Sequence, residues 1–223
     1  MAFNWVLFLI IFGAFFSVFF LLGRMKNKLI LRDIGQEIEG ILTKYVTGVK
    51  ILGKSSRAAA FSFSLSKEAP FNSLDITVVL GHRGTVGYYI KKALKRSLDK
   101  IALDADFKYK PRIEFIIVPK SETKMISKYK EHLMKFQLVK TDKEEIDDFY
   151  MIRASNESIG KKISNNKRIF TPLLKIKPFI FSISIGTDAP NMRAIFYLPT
   201  LLKDMKTIIN FLFILGELLQ KSK

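Results

Sequence analysis

Lys91, Lys92, Lys95, Arg96 and Lys100 place five positive charges within ten residues. At helical spacing the first four fall on the side opposite Val86, Ile90 and Leu94, which predicts a compact cationic face backed by a core-facing apolar stripe. Such a face attracts polyanions, and the two candidates are ribosomal RNA and the anionic headgroups of a bilayer. Each basic residue near an anionic leaflet is worth about 1 kcal/mol. Ordinary solubilising lysines produce the same pattern in a lysine-rich chain, so both readings stand at this point. Lys124, Lys128 and Lys135 extend a second cationic surface. The lysines have no RNA-recognition aromatics beside them, so any RNA contact is expected to be sequence-independent.

The acidic and histidine residues point to less. Asp104 and Asp106 are two apart on an expected strand and share a face, where two carboxylates can hold a cation. Lys108 and Lys110 continue that row, which favours a solvated strand face. Asp142, Glu144, Glu145, Asp147 and Asp148 form an acidic run without the glycine and ligand spacing of an EF-hand loop. His82 beside Arg83, between Gly81 and Gly84, can touch a phosphate or serve as a polar turn. The sequence has no cysteine and two histidines, His82 and His132, which excludes disulfides, thiolate catalysis and cysteine-based metal centres. Walker A, GxGxxG, GxSxG and HExxH patterns are all missing. The expectation is therefore a non-enzyme, with no catalytic residue, metal ligand, cofactor or small-molecule substrate.

These side chains must be held by something, and the N-terminal segment is the most distinctive element. Trp5 to Gly23 is uncharged and rich in Phe, Leu, Ile and Val. At about 1.5 Å per helical residue it covers roughly 30 Å, the thickness of a bilayer's hydrocarbon core. A cleavable signal wants a basic start, a shorter apolar run and small residues at its exit. Here the start lacks a basic side chain and the exit is bulky and basic, so a retained membrane span is expected. Arg24, Lys26, Lys28 and Arg32 follow the span and none precedes it. The positive-inside rule then places the N-terminus outside and the C-terminal part in the cytoplasm. Trp5 suits the outer interface. The expected location is the cell membrane in a prokaryote or the endoplasmic reticulum in a eukaryote.

Beyond the span, Ile30, Ile34, Ile38, Ile41 and Tyr45 recur at helical spacing, and Gly48 and Gly53 are expected to mark a turn region. Phe61, Phe63 and Leu65 alternate with serines as in a half-buried strand, and 74–80 reads as the next. Further strands are expected over 101–107, 113–118, 149–152, 178–185 and 192–198. Helices are expected from about 85, from Ser121 to Lys135, and after Asn156. A last one follows Pro199, either buried against the sheet or partly offered to a partner. The fold class is α+β, a single N-terminal transmembrane helix followed by a cytosolic domain with a mostly antiparallel sheet packed by helices. The divisions are 1–23 anchor, 24–53 juxtamembrane helix or linker, and 54–223 cytosolic domain. A formal charge of +17 adds to the expectation of a polyanionic neighbour.

Two segments carry a resemblance. SLDKIALDADFKYKPRIEFIIVP (97–119) reads as a strand pair leading into the helix KMISKYKEHLMKF (124–136). FYLPTLLKDMKTIINFLFILGELLQK (196–221) joins a strand, a proline, Lys-Asp-Met and a long apolar helix. With the anchor, this order resembles the calumin family, coiled-coil-domain proteins of the endoplasmic reticulum and subunits of the PAT complex. The resemblance spans about 55–221 plus the anchor and is best around 98–107 and 199–205. It implies a membrane-anchored accessory or chaperone factor for inserting or folding multi-spanning membrane proteins beside the translocon and ribosome. The implied partners are the bilayer, translocon or insertase subunits, other membrane proteins and the ribosome. The family's acidic luminal segment and ribosome-reaching C-terminal helices have no counterpart here. Calcium binding is therefore not carried over, and ribosome contact falls to the Lys91–Lys100 patch. A shorter prokaryotic, archaeal-type relative fits these differences. The alternative is a structural tether whose basic domain binds anionic lipid without a chaperone role.

Overall fold

The computed structural model describes residues 5–93, 99–122, 127, 133–199 and 202–221. One helix, α1 (Trp5–Leu42), runs through the expected membrane segment and on into the domain without a break. Its two halves have different surfaces. In the first, Trp5, Leu9, Ile10 and Phe15 are each more than 60 % exposed. In the second, Leu31, Ile34, Ile38 and Leu42 are buried at 8 % exposure or less. Spacings of three and four put these last residues on one face, and that face enters the core.

The remaining strands are β1 (Val46–Lys54), β2 (Ala58–Leu65), β3 (Phe71–Val79), β4 (Lys100–Phe107), β5 (Phe115–Pro119), β6 (Gln137–Leu138), β7 (Tyr150–Ala154), β8 (Ile180–Ile185) and β9 (Met192–Tyr197). They form one sheet in the order β1-β2-β3-β4-β9-β8-β5-β7-β6. Every described pairing is antiparallel. The helices after α1 are α2 (Val86–Ala93), α3 (Glu144–Phe149), α4 (Glu157–Ser164), α5 (Lys167–Lys175) and α6 (Leu202–Lys221). The molecule is α+β, with a long N-terminal apolar helix and a large antiparallel sheet.

Alternation sets the two faces of the sheet. Leu74, Ile76 and Val78 of β3 and Ile101, Leu103 and Ala105 of β4 are buried, while Asp75, Thr77, Ala102 and Asp104 between them are half-buried. The apolar face is covered by the second half of α1 and by α6, which touch each other. Ile208, Phe211, Leu215 and Leu219 of α6 are fully buried, so this helix belongs to the core. The Phe213 ring packs at a tilt on Tyr45 at 4.8 Å and edge-to-face on Phe71 at 5.4 Å, joining α6 to the sheet. Full burial of one such side chain is worth about 1.5–3 kcal/mol. β5 is buried on both faces, because Ile116 and Val118 meet Leu133 and Phe136 on the far side. Asn156 caps α4 as its residue type predicts, accepting from the Ile159 N–H at 3.1 Å.

Two expectations are corrected. Gly48 and Gly53 lie inside β1, and both coincide with register shifts against β2. Glycine tolerates the irregular backbone of a bulge, so here it bends an edge strand and does not end one. Within 24–53, α1 supplies core residues as far as Leu42 and β1 joins the sheet. Strands 101–107 and 113–118 are not partners, because β9 and β8 lie between them. Asp104 on β4 finds Arg193 on β9 at 2.7 and 3.0 Å, whereas β5 offers only apolar side chains to a polar row.

Candidate functional site

The helix α1 meets the domain where its apolar half ends, and the contact is built from the smallest residues available. A Cβ on Gly23 would lie 2.3 Å from the backbone nitrogen of Gly84, and one on Gly84 would lie 2.9 Å from the backbone of Phe20. Only glycine at both positions lets the helix and the 81–84 loop approach this closely. The His82 ring packs on Phe20 at 5.3 Å, and the Arg24 guanidinium sits over the same ring at 5.5 Å.

One turn further along α1, Asn27 is 2 % exposed and faces the same loop. Its amide oxygen accepts from Arg83 at 2.6 Å, and its amide nitrogen donates to the Gly81 carbonyl at 3.1 Å. Arg83 also donates to the carboxylate of Asp99, whose second oxygen accepts from the Gly81 N–H at 2.7 Å. Arg83 and Asp99 are each 9 % exposed. The guanidinium further lies over the Tyr88 ring at 5.3 Å. Burial pushes the Tyr88 phenol above its ordinary value, and the Asp99 carboxylate adds to the shift while Arg83 opposes it. A buried charge pair with its hydrogen bonds filled is strongly position-dependent: removing one partner strands the other. The joint therefore locks the direction in which α1 leaves the domain.

Beside this joint is a cleft of about 860 Å³. Its walls are residues 30–37 of α1, the Arg83–Lys92 segment, and the ends of β5 and β9. It mixes acids and bases with rings. Glu122 accepts from the Tyr197 hydroxyl at 2.9 Å, and Lys177 lies over Phe149 at 4.2 Å. Asp33 pairs with Arg32 at 3.3 Å. Several of these polar groups are engaged with neighbouring side chains.

Of the expected cationic face, two residues have described side chains, Lys92 on α2 and Lys100 after it. Lys92 is exposed and lines the cleft, whereas Lys100 begins β4 and lies over Phe181 at 3.7 Å and Tyr197 at 5.5 Å. Lys91 is in α2, and Lys95 and Arg96 lie outside the described residues, as do Leu94, Leu98, Lys124 and Lys128. Ile90 was expected to face the core and is instead 57 % exposed. Among the described side chains of α2, the buried one is Tyr88, turned toward Arg83. Lys26, Lys28 and Arg32 are exposed along α1, and Trp5 is exposed at its start.

Two members of the acidic run, Asp142 and Asp147, have structural partners. Asp142 pairs with Lys161 at 2.9 Å and accepts from Asn165, raising the Lys161 pKa by hydrogen bonding and charge. Asp147 accepts from the Thr141 N–H through both oxygens at 3.0 Å. Asn27 and Asp99 were not singled out from sequence, although a signal existed. Gly23, Asn27, Leu31, Ile34, Ile38 and Leu42 form one stripe of α1, and a polar residue in a buried stripe calls for a partner. Compared with known proteins, the chain matches no family model and no curated protein.

Proposed function

We propose that this protein is a membrane-anchored, non-enzymatic accessory factor for the insertion or folding of multi-spanning membrane proteins, acting near the translocon and ribosome. The observation that carries the reading is the division of labour within α1. One uninterrupted helix presents an exposed apolar surface long enough to cross a membrane and then becomes part of the domain core. A segment removed as a signal would not be fastened to the domain through Gly23 and Asn27, so this packing supports a retained span. The four basic residues from Arg24 to Arg32 support a cytoplasmic domain. In this reading the Phe-rich side of α1 meets the spans of client or insertase proteins, and the mixed cleft beside residues 30–37 receives a polar loop as it leaves the bilayer.

The test is purification of the full chain from native membranes in mild detergent, with a photocrosslinking residue in place of Phe16. Recovery of ribosomes or insertase subunits, with crosslinks to nascent multi-spanning proteins, is expected. Recovery of lipid alone would instead favour a passive tether and contradict the chaperone reading.

A further inference from the structure

The exposed apolar side of α2 has a position that determines what covers it. Tyr89 and Ile90 are 47 % and 57 % exposed, and Ala93 continues the surface one turn later. A short helix in a domain of this size would ordinarily turn such residues inward, yet here Tyr88 takes that role. The helix begins just after the loop that contacts Phe20 and Gly23. The Tyr89 ring lies 5.7 Å from the ring of Phe19. Phe19 is four residues inside the uncharged stretch that ends at Gly23, or about 6 Å along the helix axis. Amphipathic helices lying in a membrane surface bury their apolar side about 5–10 Å below the headgroups.

We propose that α2 is an interfacial helix, embedded in the cytoplasmic leaflet with Tyr89 and Ile90 among the acyl chains beside Phe19 and with Lys92 among anionic headgroups. The proposal rests on the reading of α1 as a membrane span. Two observations favour lipid over RNA at this surface: the exposed residues are apolar, and their neighbour is a phenylalanine of the span. With the hydrocarbon core ending at Gly23, Phe19 lies at the acyl boundary. Arg24 and His82 then lie at the level of the headgroups, since both pack on Phe20. A second membrane contact has a mechanical consequence. The 23–27 joint and the buried face of α1 fix the domain to the span, and α2 fixes the tilt of that joined body at the membrane surface. The cleft between them is thereby held at the membrane surface.

The experiment uses the full chain with its single tryptophan removed (Trp5→Phe), reconstituted in vesicles of neutral lipid with or without phosphatidylglycerol. One variant carries Ile90→Trp and another carries Phe16→Trp as a control for the span. Lipids brominated near the top of the acyl chain are expected to quench both, with the Ile90→Trp emission blue-shifted relative to tryptophan in water. Ile90→Glu is expected to remove the preference of the domain for the bilayer without releasing the anchor. With the span intact, this is read as faster proteolysis between α2 and β4. Quenching of Phe16→Trp with water-like, unquenched emission from Ile90→Trp would overturn the interfacial helix and leave the anchor standing. Failure of both to be quenched would overturn the anchor and the proposal together. A response of Ile90→Trp to added ribosomes but not to brominated lipid would assign the surface to ribosomal RNA and overturn the proposal.

Discussion

Asn27, Arg83 and Asp99 account for how a helix with an exposed apolar half is held at a defined angle. Asp99→Asn leaves the largely buried guanidinium without its counter-charge, and should cost about 3–5 kcal/mol. Asn27→Ala leaves one arginine donor unfilled and should cost about 1–3 kcal/mol. Thermal unfolding in detergent measures both, and the two losses should add to less than their sum because the residues share a network. Titration supplies a second check at this scale. Burial pushes the Tyr150 phenol upward, and Tyr88 is shifted in the same direction. A raised phenol pKa means the folded state keeps its proton longer than the unfolded chain. The resulting stability is fully present below the ordinary tyrosine value near 10 and falls as pH rises above it. Tyr150→Phe should flatten the alkaline loss of stability, measured by denaturant midpoints on both sides of pH 10. The histidine–arginine pair was visible in the sequence as a polar loop, but its partners were not. Asp99 and Asn27 are 16 and 56 residues from Arg83, and no local pattern links them.

At the scale of elements, α1 is the feature whose type was plainest in sequence. Its apolar run and the heptad-like stripe beyond it are local signals. What the sequence hid was continuity: Gly35 and Gly40 lower helix propensity, and yet Gly35 gives room to the Phe61 ring, 3.0 Å from where its Cβ would stand. Replacing Ile38, which is fully buried, by Ala should destabilise the domain by about 2–5 kcal/mol, measured by chemical unfolding. A cost near zero would mean that the second half of α1 is not a core element. Strand pairing was the least legible part. Alternation marked β2 and β4, and β3, β5, β7, β8 and β9 were also legible as strands, but partner choice depends on contacts far apart in the chain. The pairing of Asp104 with Arg193 spans 89 residues. Glycine in β1 misled because its conformational freedom serves a bulge as readily as a turn. The face of α2 misled because an apolar stripe was assumed to seek the protein core, when a membrane is an equally apolar neighbour.

For the whole molecule, the proposed arrangement is an anchor and a basic domain acting as one body, with the cleft and α2 facing the bilayer surface. Gly23→Leu tests that unity, since a side chain there collides with the backbone of Gly84. Phe20→Cys and His82→Cys, introduced into this cysteine-free chain and bridged by a short bis-maleimide, should crosslink efficiently in the parent. They should crosslink poorly in the Gly23→Leu background. The central claim is that residues 5–23 stay in the membrane and hold the domain on its cytoplasmic side. Single cysteines placed at Ala2 and at exposed Lys110, in separate variants expressed in bacterial cells, test it most directly with a membrane-impermeant maleimide. In intact spheroplasts the Ala2→Cys variant should label and the Lys110→Cys variant should label only after permeabilisation. Labelling of Lys110→Cys in intact spheroplasts, or release of the chain into the soluble fraction, would contradict it.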